Sequence, residues 1–173
     1  YQSINTITNR GSEDWTKEKG LLSIWNLGMF KASPTTTVII PYKKGPEEEL
    51  GPVVNAAYFG EVPKDRLVVT DRHIFFKADG AFRSKIGVLP ERSKGISGSY
   101  DWKAGVVTIV PFDQPSGLRD YVNSMWELQE EPYRGDVINS YNDGPPSPGA
   151  RSLGPFYEIE TSSPAALLPA GES

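Results

Sequence analysis

Two glutamates separated by one residue near the end of the sequence, Glu158 and Glu160 in FYEIET, are the pair best spaced for acid–base work. On a β-strand, side chains alternate between faces, so both project from one side with Cα atoms about 7 Å apart. Like charges held that close raise the pKa of one partner, and a single pair can then furnish a proton donor and a proton acceptor. The same separation suits inverting glycoside hydrolysis, whose carboxyl groups stand roughly 6.5–9.5 Å apart. The plain alternative is a solvated sheet face on which the pair lies beside a Lys or Arg. Arg83 and Lys85 alternate in the same way within FRSKIGVL and also share a face. If that face carries the glutamates, the four form a polar cleft floor for hydroxyls or a carboxylated sugar. If it does not, they are ordinary surface cations.

Asn139, Tyr141, Asn142 and Asp143 open a stretch rich in Asp, Asn, Gly and Pro that runs to Gly154. It reads as a loop bearing donors and acceptors for sugar hydroxyls, or simply as turns. Trp102, beside a hairpin turn, is the tryptophan best placed to stack on a pyranose ring, whereas Trp25 and Trp126 fall where core packing is expected. His73 is the sole histidine, so any imidazole proton transfer near neutral pH must run through it. Its ordinary fate is a hydrogen-bonded sheet residue. Asp79 and Asp136 can offer calcium oxygens, but no dense acidic loop with metal spacing accompanies them. Neither a metal nor a cofactor is expected, and Glu47 to Glu49 read as a solvated charge run.

Composition removes many other chemistries. The absence of cysteine excludes disulfides, Cys-ligated zinc, iron–sulfur clusters and thiol nucleophiles. A single His excludes a multi-His metal cage. With 18 Lys+Arg against 22 Asp+Glu, the chain lacks the basic face of a nucleic-acid binder. It also lacks a polybasic signal for anionic membranes. No apolar run approaches the ~20 residues of a membrane helix.

The elements that must position these side chains are strands. Gly (17) and Pro (15) are frequent and aromatics make up 11%, a pattern of many turns between short aromatic-rich strands. It predicts an all-β sandwich or barrel in one domain over 1–173, or a segment of a larger one. Strands are expected over 21–31 with a bulge at Gly28, then over 35–42, 53–62, 66–70, 73–78 and 82–89. Asp79-Gly80 is a tight-turn signal between the last two. A hairpin is expected over 96–112, turning at Lys103-Ala104-Gly105, followed by strands over 156–161 and 165–168. Residues 118–129 fit a helix through Tyr121, Met125 and Leu128, or a strand; Tyr121, Val122 and Trp126 favour the strand. Residues 1–20 lack a signal-peptide pattern. The last strand lacks an evident partner, which points to one segment of a larger sandwich.

Three segments carry a family likeness: ADGAFRSKIGV (78–88), RGDVINSYNDGP (134–145) and LGPFYEIETSSPA (153–165). Together they resemble an uncharacterised, mostly secreted or periplasmic bacterial family of the galactose mutarotase-like superfamily. The resemblance spans roughly 21–168, and its third segment is the most specific. It implies an antiparallel β-supersandwich with a sugar cleft on a concave sheet face, strands lacking at both ends, and a periplasmic or extracellular location. The superfamily's general base is a Glu on a late strand, in a context like LET or LEP with a Pro soon after. Ile159-Glu160-Thr161 with Pro164 matches, so the resemblance gives Glu160 that role, with Glu158, Arg83 or Lys85 assisting. The superfamily's acid is a His within a motif not found here, and His73 in TDRHIFF lacks its surroundings.

Mutarotation needs a base on the anomeric hydroxyl and an acid on the ring oxygen, each contributing on the order of 10²–10⁴ in rate. Two readings follow from the resemblance. One is an aldose 1-epimerase-like isomerase or other carbohydrate-active enzyme working through Glu160. The other is a non-catalytic carbohydrate-binding protein using the same cleft. A structural, partner-binding sandwich is the third class.

Overall fold

The β-branched and aromatic runs TTVIIP and HIFFK both form strands that bury every second side chain. The computed structural model describes residues 1–117 and 120–173. It places these strands in a five-stranded antiparallel sheet of order β3 (Leu67–Val69), β4 (His73–Lys77), β2 (Thr36–Pro41), β6 (Ile96–Asp101), β7 (Val106–Pro111). A second antiparallel sheet, of four strands, runs β1 (Trp25–Lys31), β9 (Phe156–Ser162), β8 (Ile138–Asn142), β5 (Ser84–Val88). Val38, Ile40, Ile74 and Phe76 of the first sheet meet Ile86, Val88, Ile138, Tyr157 and Ile159 of the second in a common core. The hydroxyls of Ser99 and Tyr157 bond across that core at 2.7 Å. The protein is an all-β sandwich, one of the two all-β architectures that its composition predicts.

The hairpin of β6 and β7 forms as expected, with Gly105 in its turn at φ +67°, a left-handed position that suits glycine. Several local expectations give way to tertiary pairing. The supposed loop beginning at Asn139 opens with β8, the strand between β9 and β5, buried along its whole length. Its polar sequence, INSYN, hid it, because those side chains find partners inside the protein. Asp79-Gly80 does not close a hairpin: β4 and β5 belong to different sheets, and the turn carries the chain between them. Gly28 sits in unbroken register opposite Ile159, so β1 has no bulge.

Within 53–62 the only strand-like pairing is an isolated bridge from Asn55 to Gly87. Residues 120–129 form neither helix nor strand, apart from a bridge between Tyr121 and Arg134, and Trp126 is 94% exposed rather than core. Leu118 and Arg119 lie outside the described residues. The expected closing strand is a single bridge, Ala166 to Leu22. Beyond it, the tail pairs with the N-terminal segment: Asn9 N–H donates to Glu172 C=O at 2.8 Å and Gly171 N–H to Asn9 C=O at 2.7 Å. The charge run at 47–49 forms one helical turn, α1 (Glu47–Leu50), with no buried residue. Among the described residues, no helix is long and apolar enough to cross a membrane.

Candidate functional site

Because β9 commits Tyr157 and Ile159 to the core, its period of two forces Glu158 and Glu160 to the sheet's outer face. Register then decides their neighbours. One row across the sheet reads Met29, Glu158, Tyr141, Lys85, and the next reads Leu27, Glu160, Asn139, Gly87. Arg83, just before β5, keeps the phase of Lys85 and lies over the Phe59 ring, 4.2 Å from its centroid. Arg83, Lys85, Tyr141, Asp143, Glu158 and Glu160 thus meet on one side of the four-stranded sheet.

That face is outside the core yet largely shielded from water. The segment following Val54 folds over it, anchored by reciprocal backbone bonds of 2.8 Å between Asn55 and Gly87. Tyr58 covers Lys85, whose ammonium lies 5.2 Å from the ring centroid. Trp25, from β1, flanks the same ammonium at 5.6 Å. Beneath these rings Lys85 donates to Glu160 Oε2 at 2.8 Å, and Trp25 Nε1 donates to the same oxygen at 2.9 Å. Glu160 is 1% exposed, and its other oxygen is buried without a hydrogen-bond partner.

Glu158, 8% exposed, meets a different environment. Burial, followed by the negative charge of Glu160, pushes its carboxyl up to about 7, with Lys85 opposing the rise. The two glutamates therefore differ in kind: one is held by an ammonium and an indole, while the other keeps its proton near neutrality. A carboxyl whose pKa rises on folding contributes its stability below the unfolded value of 4.5, and loses it as pH climbs through about 7. Glu158→Gln, neutral at every pH, is thus expected to be more stable than the wild type above pH 7. The difference should vanish below pH 4.5, as urea titrations at both ends of the range would measure.

A second cluster adjoins the pair. Tyr58 O–H donates to Asp136 Oδ2 at 2.6 Å, Asn55 Nδ2 to the same oxygen at 3.1 Å, and Asn139 Nδ2 to the Tyr58 hydroxyl at 2.9 Å. Burial raises Asp136 to about 6 against these donors. Gly87 makes room for it, since a Cβ there would overlap the Asp136 carboxylate. Farther along the row, Tyr141 O–H donates to Asp143 Oδ1 at 2.7 Å, and Gly154 N–H donates to Asp143 Oδ2 at 2.8 Å. Burial and the Asp143 carboxylate lift Tyr141 to about 12.

Three residues singled out in the sequence lie elsewhere. Asn142 has the opposite parity on β8 and is fully buried toward the core. Its amide holds the 79–82 turn, accepting from Gly80 N–H at 2.8 Å and donating to Phe82 C=O at 2.9 Å. His73 is on the outer face of the five-stranded sheet, because β4 turns Ile74 and Phe76 inward, so the whole sandwich separates it from Glu160. Trp102 lies in the β6–β7 turn of that same sheet, 65% exposed and away from the carboxyl pair.

Conversely, Trp25, whose place in a strand suggests core, and Tyr58 and Asn55, to which the sequence pattern gives no role, belong to the site. A glycine within an otherwise buried strand at 87 was the available hint of a close approach. Among the described residues, no group of three or more His, Cys, Asp or Glu side chains is arranged to hold a metal ion. A separate hollow of about 640 Å³, lined in part by Lys43, Leu50, Lys94, Phe112 and Gln114, contains none of the carboxyl pair.

The arrangement can donate a proton from Glu158, hold negative charge on Glu160, and present aromatic surface at its rim through Trp25 (51% exposed) and Phe59 (43% exposed). No curated protein and no solved structure matches the chain. A family described as one of unknown function, DUF6786, matches residues 1–173. The protein carrying this carboxyl pair therefore belongs to the DUF6786 family.

Proposed function

We propose that the outer face of the four-stranded sheet binds a sugar and transfers protons on its ring, with Glu158 as the acid and Glu160 as its charged counterpart. The observation that carries this reading is the inequality of the two glutamates: adjacent on one face, one is raised to about 7 and the other is ion-paired with Lys85. A proton donor poised near the working pH is what ring-oxygen protonation requires. The likeness of LGPFYEIETSSPA to galactose mutarotase-like sequences supports the part of this assignment that concerns Glu160, to which it gives the base. The exposed indole of Trp25 offers the apolar surface on which a pyranose face stacks. This reading moves the acid from His73 to Glu158.

A second reading, sugar binding without turnover, draws on the burial of Glu160. A carboxylate 1% exposed and bonded to both Lys85 and Trp25 is better built to orient its neighbours than to meet substrate.

Exchange NMR on a panel of free aldoses separates the two. Faster anomer interconversion with the wild type, lost in Glu158→Gln, supports the enzyme. Calorimetric binding with no change in exchange rate supports the second reading. Neither binding nor acceleration across neutral and acidic sugars overturns both.

A further inference from the structure

Resting on that assignment of the site, we infer that its ligand is an acidic sugar, a uronate whose carboxylate pairs with Arg83. Charge around the acid pair is otherwise settled internally. Lys85 is spent on Glu160 at 2.8 Å. Asp143 has one oxygen on the Tyr141 hydroxyl and the other on Gly154 N–H. Arg83, in contrast, has no carboxylate within ion-pair distance among the described residues, and its guanidinium carbon lies over the Phe59 ring at 4.2 Å from the centroid.

This stacking has a consequence for recognition. Phe59 is itself braced edge-on by Tyr141, with ring centroids 5.8 Å apart. The guanidinium is thereby held beside the Tyr141 hydroxyl, which it also hydrogen-bonds, and its remaining N–H donors, set in a planar fork, match a carboxylate through two parallel hydrogen bonds. The cost of ordering the side chain is met before the ligand arrives. Arg83 adjoins Tyr141, and Tyr141 pairs directly with Glu158 across the strands. A single pyranuronate carries both a ring oxygen for Glu158 and a carboxylate for Arg83. A neutral hexose offers the guanidinium only a hydroxymethyl group, so the full charge-assisted contact is lost.

The test is calorimetry at low salt with galacturonate and glucuronate against galactose and glucose, using wild type, Arg83→Gln and Arg83→Lys. Thermal melts of each variant confirm the fold. At least tenfold tighter binding of a uronate than of its neutral counterpart is expected. Arg83→Gln should erase that preference, bringing uronate and neutral sugar to within about threefold of each other. Arg83→Lys should restore it only in part, because an ammonium lacks the fork. Equal binding of both classes by the wild type, or a preference that survives Arg83→Gln, overturns the inference and leaves the sugar site standing. Binding of no sugar of either class removes the site itself, and the inference with it.

Discussion

Replacing Lys85 by Met is expected to destabilise the fold by about 3–5 kcal/mol above pH 7, the usual cost of leaving one member of a buried ion pair without its partner. Lys85 is 7% exposed and Glu160 1%, so water cannot take over the role of the ammonium. The Glu160 oxygen that accepts from Lys85 would retain only the Trp25 indole, and its other oxygen is already unpartnered. Two features distinguish this outcome from simple loss of packing. The deficit should shrink at lower pH, where a proton can neutralise the abandoned carboxylate. It should also shrink in the double variant Lys85→Met with Glu160→Gln, because removing both charges eliminates the desolvated ion. Urea unfolding of the four proteins completes the cycle. A Lys85→Met variant within 1 kcal/mol of wild type above pH 7 would mean that this ion pair is solvated.

Arg92→Met should cost about 3 kcal/mol or more, for a different reason. Arg92 is 2% exposed, and its guanidinium donates four hydrogen bonds to backbone carbonyls. Nε and Nη2 reach Gly51 at 3.0 and 2.6 Å, while Nη1 reaches Lys43 and Gly45 at 3.0 Å each. One side chain therefore fastens the ends of the segment that contains α1. Met keeps most of the apolar stem but strands those acceptors, each worth roughly 1–3 kcal/mol when buried without a donor. Lysine should rescue little, because a point charge cannot span three divergent carbonyls. Limited proteolysis offers a second readout, with cleavage within 43–51 appearing in Arg92→Met well below its melting temperature. An unchanged cleavage pattern and an unchanged melting temperature would refute the fastening role.

How far the sequence could be read depended on the range of the interactions. Period-two alternation within FYEIET was enough to put Glu158 and Glu160 on one face, since strand geometry alone requires it. The same local argument paired Arg83 with Lys85. Hairpin chemistry at Lys103-Ala104-Gly105 was equally local and held. The polar composition of INSYN misled, because a strand whose polar side chains bond internally has the same residues as a turn. Trp126 and Trp25 misled in the opposite sense: indole chemistry suits both a core and an exposed rim, and only neighbours decide between them.

Composition and alternation were therefore sufficient for an all-β sandwich or barrel, for the exclusion of thiol chemistry, and for two same-face pairs of charged residues. They could not say that the two pairs share a face. That follows from β8 lying between β9 and β5, a register set by contacts distant in sequence. Only the folded chain could separate His73 from Glu160 by the width of the core, bring Trp25 and Tyr58 over Lys85, and divide two chemically identical glutamates into one paired with an ammonium and one whose pKa burial raises to about 7. A side chain's type is local, but its dielectric surroundings and its counter-charge are properties of the assembled sheets.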